Sequence, residues 1–165
     1  MIPCKLTLFF WSGIMKKNES YQEKRIENEL EVTTYLDRLG YALQSGQAKI
    51  NFQKDRIVDQ NRDNRFTNRY TLLNLFPDED EVEVLKRELA FLTVENYIET
   101  VKDTRFPHKS EMRVFEKKYS HEDVYIKIRV ELLTVSGNNI FVMSFHFAER
   151  VFVDNDFPYN KNKGE

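Results

Sequence analysis

A chain of 165 residues that is 41 % hydrophobic and 13 % aromatic carries enough apolar side chain for one good core and too little length to require a second domain. Its net charge of −2 provides no global attraction to a polyanion, so any nucleic acid must be held by a local basic face. The single cysteine, Cys4, excludes an intrachain disulfide and a thiolate metal site, and His108, His121 and His146 stand at no metal-ligand spacing, so a cytoplasmic protein without metal or cofactor is expected.

Residues 1–14 form an apolar run too short to span a bilayer, with neither a basic flank nor a small-residue cleavage site. They read as an extension upstream of a start at Met15, the alternative being an edge strand or a membrane-associating segment. The domain then covers residues 15–160, and residues 161–165 form a fraying tail. From Ser20, with Glu23 three residues on as a capping box, the spacing of Ile26, Leu30, Thr33, Leu36, Leu39 and Leu43 predicts a long helix that ends at Gly46 and packs against its own core. A short strand at 48–52 follows. In 59–70, arginines interleave with Phe66 and Tyr70 in a way that could contact phosphate and stack on bases, but no groove-binding motif accompanies them and the segment reads as a solvated polar loop.

Pro77 and Asp78 open a helix whose first turn is crowded with acids, where the macrodipole favours them, with Val82, Leu85 and Leu89 on its buried side. Thr93 reads as the cap of a second short helix reaching towards Val101. After a loop around Pro107, the alternation of Glu111, Arg113, Phe115 and Lys117 with Met112 and Val114 predicts a strand over 111–118.

The strongest pattern comes next. Val124, Ile126, Ile128, Val130 and Leu132 recur every second residue, as do Phe141, Met143, Phe145 and Phe147, with turn residues at 136–139 between them. This is a hairpin of strands 123–134 and 139–147. With the large apolar residues on one face, a two-residue loop at Gly137 and Asn138 sets Arg129 opposite His146, and a four-residue loop sets Lys127 there. In both registers Tyr125, Lys127, Arg129, Ser144 and His146 share one polar face. The fold class that follows is α+β, an antiparallel sheet with the preceding helices packed on its apolar face.

Residues 102–129 hold eight Lys and Arg against five Asp and Glu, so the basic face lies in this half. Cutting RNA without a metal needs a base for the ribose 2′-hydroxyl, cations for the transition state and an acid for the leaving oxygen. The patch contains those types: His146 as base or acid, Lys127, Arg129 and Arg113 for phosphate, and Tyr125 as a hydrogen-bond donor. Read from the residues alone, the same face is also that of an ordinary solvated strand.

A resemblance assigns roles to it. The ordered blocks Leu92-Thr93-Val94-Glu95-Asn96-Tyr97, Glu111-Met112-Arg113-Val114-Phe115, Val124-Tyr125-Ile126-Lys127-Ile128, Ser144-Phe145-His146-Phe147-Ala148-Glu149 and Phe157-Pro158-Tyr159 resemble those of the motility quorum-sensing regulator (MqsR) family of bacterial toxins. The resemblance implies a RelE-like fold and a type II toxin that cleaves messenger RNA without a metal, with an antitoxin protein and possible action on the ribosome among its partners. It places Tyr125 at the family's active-site tyrosine, His146 at a catalytic basic position and Lys127 at a family lysine. Arg113, counted with the catalytic set, stands where relatives carry tryptophan, and Glu116 replaces a glycine. Arg129, Lys117 and Lys109 are the expected substrate-binding cations. The other class kept open is a non-catalytic interaction module or inhibitor on the same fold, with the acidic helix 78–91 and the helix 20–45 as contact surfaces.

Overall fold

The computed structural model describes residues 21–56, 60–133 and 137–161. It is α+β: a six-stranded sheet in the order β1-β3-β4-β5-β6-β2, with three helices on one face. The strands are β1 (Gln22–Arg25), β2 (Lys49–Phe52), β3 (Tyr97–Asp103), β4 (Met112–Tyr119), β5 (Glu122–Leu133) and β6 (Gly137–Phe147). The helices are α1 (Glu29–Gln44), α2 (Asn68–Leu75) and α3 (Glu81–Ala90). All pairings are antiparallel except that of β2 with β6. Among the described residues no helix is long and apolar enough to cross a membrane.

Period-two burial on β5 builds the core: Val124, Ile126 and Ile128 are wholly buried and meet Phe115 of β4 and Phe145 and Phe147 of β6 beneath the helices. On β6 the buried set changes phase. Ile140 and Val142 point to the core, and so do Phe145 and Phe147, which a regular strand cannot allow. A β-bulge resolves the conflict, the register stepping between Lys127 opposite Ser144 and Ile128 opposite Val142, so that Met143 is the extra residue. The expected face of Phe141, Met143, Phe145 and Phe147 therefore holds only for its last two members, and Phe141 turns to the opposite face beside Arg129.

The bulge leaves backbone groups to be satisfied, and α2 supplies them. Asn68, buried at the start of α2, donates to the carbonyls of Met143 (3.0 Å) and Gln53 (2.8 Å) and accepts from the Phe145 amide (2.9 Å). Thr71, one turn on, accepts from the Phe147 amide at 2.8 Å. β2 ends at Phe52, so these side chains replace a strand along the second half of β6. Asn68→Ala strands three backbone groups, each worth about 1–3 kcal/mol when buried without a partner. It is expected to destabilise the fold by at least about 2 kcal/mol in urea unfolding.

The N-terminal half departs from its reading. Gln22–Arg25, expected to be helical, is an edge strand on β3, and α1 begins after Asn28, whose side chain and that of Glu31 form the capping box assigned to Ser20 and Glu23. Ser20 and the proposed extension lie outside the described residues, as do residues 162–165. The buried stripe of α1 is Val32, Tyr35, Leu39 and Ala42, and Leu30 is left 75 % exposed. Asp80 caps α3, later than expected, and the buried valine is Val84 in place of Val82. The stretch after Thr93 makes one 3-10 turn and then enters β3, because Tyr97, Ile98, Thr100 and Val101 are β-formers with a face each to bury.

Candidate active site

The face of the sheet away from the helices carries a cleft of about 670 Å³ over β5 and β6. Its floor is written by parity. Tyr125 and Lys127 alternate with the buried Val124, Ile126 and Ile128, so they point to the open face, where Tyr125 pairs with His146 and Lys127 with Ser144. The Tyr125 and His146 rings stack with centroids 5.4 Å apart and planes 26° from parallel. One wall is Arg56 and Arg62, from the connection between β2 and α2; the other includes Lys24, Ile98 and Glu99 of β1 and β3. The segment after β6 closes one end: Phe152 and Phe157 join Tyr125 in packing on Ile98, Val101 and Val114, and the Phe152 amide donates to the Asp123 carboxylate at 3.1 Å.

The imidazole is held in one protonation pattern. Its Nδ1 lies 2.8 Å from the carbonyl oxygen of Phe147, and because a carbonyl only accepts, Nδ1 carries the proton. In the neutral ring Nε2 is then the proton acceptor. Burial lowers the pKa of His146 below its ordinary 6.5, against the opposing pull of the Phe147 carbonyl and with help from Arg62, so the neutral ring prevails at pH 7. The Tyr125 hydroxyl is pushed up to about 12, chiefly by burial, and stays protonated.

Lys127 is 6 % exposed and has no carboxylate within ion-pairing distance among the described residues. Burial, and then the charge of Arg56, bring its pKa down to about 8. A lysine lowered from 10.5 to about 8 weakens the fold. Below pH 8 the folded protein carries the whole penalty of a buried ammonium, and the penalty fades as pH rises from 8 to 10.5 because the unfolded chain then binds the extra proton. Lys127→Met is therefore expected to stabilise the protein by roughly 3 kcal/mol at pH 7 and by much less at pH 10.5, read by chemical unfolding at the two pH values. A position that costs stability in this way has the character of a functional site.

The expected residues fall into three groups. Tyr125, Lys127 and His146 come together in the cleft, with Tyr125 opposite His146 where Arg129 or Lys127 was expected. The register differs because Gly137 and Asn138, read as the turn, already belong to β6, where they pair with Leu133 and Leu132, and because the bulge at Met143 shifts the pairing by one further residue. Arg129 and Lys109 line a neighbouring depression on the same face. Arg113 and Lys117 are not in the cleft. Their strand alternates so that Val114 and Glu116 take the side of the sheet that carries the cleft, and Arg113 lies on the helix side over the Tyr35 ring, ion-paired to the buried Glu27 at 2.6 Å. Lys117 meets Glu88 of α3 at 3.3 Å. Both are held in ion pairs on the helix side, away from the cleft where a catalytic and a substrate-binding residue were expected. Glu116 sits near Asp123 at the covered end, its carboxyl held up at about 7 by burial and that neighbour.

Neither Arg56 nor Arg62 is among the expected site residues. Arg62, read as part of a solvated loop, lies with its side chain 18 % exposed against Glu149 at 3.3 Å. Arg56 has no carboxylate partner among the described residues, and it shares the cleft with Arg62 and Lys127. The available signal was the arginine content of 56–69, which does not say which arginine turns inward: Arg65 pairs with Glu122 at 2.6 Å and Arg69 with Asp55. Comparison with family models, curated proteins and solved structures gives no match to this chain.

Proposed function

We propose that this cleft is the active site of a metal-independent endoribonuclease, and that the protein is a RelE-like toxin of the MqsR type that cuts messenger RNA and is restrained by an antitoxin protein. The observation that carries the proposal is the conjunction at one spot of a neutral, oriented imidazole, a buried lysine that meets no carboxylate among the described residues, and two arginines on the rim. These are the groups that 2′-hydroxyl attack on a phosphodiester requires.

On this reading Nε2 of His146 takes the proton of the ribose 2′-hydroxyl, and the 2′-oxygen attacks the adjacent phosphorus. Arg56 and Arg62 balance the charge that gathers on the non-bridging oxygens. Lys127, with a pKa near 8, is mostly protonated at pH 7 and gives a proton to the departing 5′-oxygen as the phosphorus–oxygen bond breaks. The products are a 2′,3′-cyclic phosphate and a 5′-hydroxyl. Tyr125 backs the imidazole and fixes its tilt. Induced expression of the chain in a bacterial host tests the proposal: growth should stop and messenger RNA disappear, and a His146→Ala chain made at equal level should do neither. Growth arrest with intact messenger RNA would sink the reading.

A further inference from the structure

We infer that the depression beside the cleft is a base-binding subsite for one nucleotide flanking the cleaved bond, with Arg56 holding the phosphate between the two sites; the inference rests on the endoribonuclease reading. The depression has a volume of about 220 Å³ and shares Arg56 and Lys127 with the cleft, so the two are continuous across the open face of the sheet. Its floor exists because of the bulge at Met143, which turns Phe141 away from the core and sets it opposite Arg129 on β5. The Arg129 guanidinium rests on the Phe141 ring, 5.0 Å from its centroid.

On the far side Phe106, 44 % exposed, carries the Lys109 ammonium 5.2 Å from its ring centroid. Asp103 is the one carboxylate of the lining among the described residues, and it is already bound to Arg105 at 2.7 Å. A hollow with a surplus of cations demands an anion, and its two partly open aromatic rings demand a flat apolar partner. A nucleotide satisfies both demands. Arg56 also lines a third depression, of about 360 Å³, beyond His146, which makes it the one side chain common to all three among the described residues. A backbone phosphate passing from the cleft to its neighbour runs over the seam that Arg56 forms with Lys127 and Gln22.

The test uses full-length protein and a set of single-stranded oligoribonucleotides in which one base at a time is replaced by an abasic ribose. With the wild type, removal of the base at one position next to the cleaved bond should lower kcat/KM by about ten- to hundredfold, the usual worth of a stacked base. With Phe141→Ala the intact substrate should lose the same factor and the abasic substitution at that position should add nothing, while Phe141→Trp keeps the sensitivity. Equal losses for Phe141→Ala at every position would mean a structural role, and no loss would remove the subsite; either overturns the inference and leaves RNA cleavage standing. If the wild type cuts no RNA, fluorescence anisotropy with the same oligonucleotides decides: binding weakened by Phe141→Ala at that one position keeps the subsite and rejects the catalytic reading, and absence of binding rejects both.

Discussion

Replacing His146 by alanine is expected to lower the rate of RNA cleavage by roughly two to four orders of magnitude, the usual worth of a general base, without unfolding the protein. The side chain stands on the open face of β6 and stacks on Tyr125, so its loss removes an aromatic contact worth about 0.5–1.5 kcal/mol and no part of the core. The wild-type rate should be bell-shaped in pH. It rises while His146 loses its proton, at a pH below its ordinary 6.5, because only the neutral ring accepts the 2′-hydroxyl proton. It falls as Lys127 loses its proton near pH 8. Facing groups shape both limbs: Arg62, Glu149 and Arg56 act on the histidine, and Arg56, Glu99, Lys24 and Asp103 on the lysine. In Lys127→Arg the alkaline limb should vanish from the accessible range, since guanidinium stays charged. Stopped-time assays from pH 5 to 9 check both limbs, and full activity in His146→Ala would remove the histidine from the mechanism.

Ile128→Asp is expected to abolish the folded state. Ile128 is wholly buried under α1, where a carboxylate finds no water and where Arg113, its partner on β4, is already committed to Glu27, so the cost of burying it approaches or exceeds the 5–15 kcal/mol that holds a domain of this size together. Its neighbour makes the control. Arg129 faces the other way, meeting Glu131 at 2.7 Å and the Phe141 ring, so Arg129→Ala should cost only about 1–2 kcal/mol and leave a cooperative unfolding transition. Circular dichroism separates the two outcomes, and equal tolerance of both substitutions would mean that the facing of β5 is wrong.

The facing of β5 was legible because every second residue from 124 to 132 is apolar, and that alone placed Tyr125 and Lys127 together on the open side. The pairing of β6 was harder to read. Its apolar residues keep two phases, Ile140 with Val142 and Phe145 with Phe147, and the change of phase is itself the trace of a bulge, visible once Phe141 is not forced into the same set. Arg113 and Lys117 misled because charge was taken to mean solvent. In β4 they lie on the helix side, and what allows it is Glu27 and Glu88, which arrive from parts of the chain far away in sequence. Arg56 and Arg62 could not be placed for a related reason: a connection between elements has no periodicity to orient it, and contacts distant in sequence, Asn68 and Thr71 on β6 and Arg62 on Glu149, hold their segment over His146.

The central claim, that the chain's own imidazole, lysine and arginines cut RNA, is tested most directly by incubating purified protein with an end-labelled single-stranded RNA in EDTA and identifying the new ends. Cleavage undiminished by the chelator, products ending in 2′,3′-cyclic phosphate and 5′-hydroxyl, and loss of both in His146→Ala are expected. Intact RNA after prolonged incubation with folded wild-type protein, joined to tight binding of another protein, would contradict it and make the chain an interaction module.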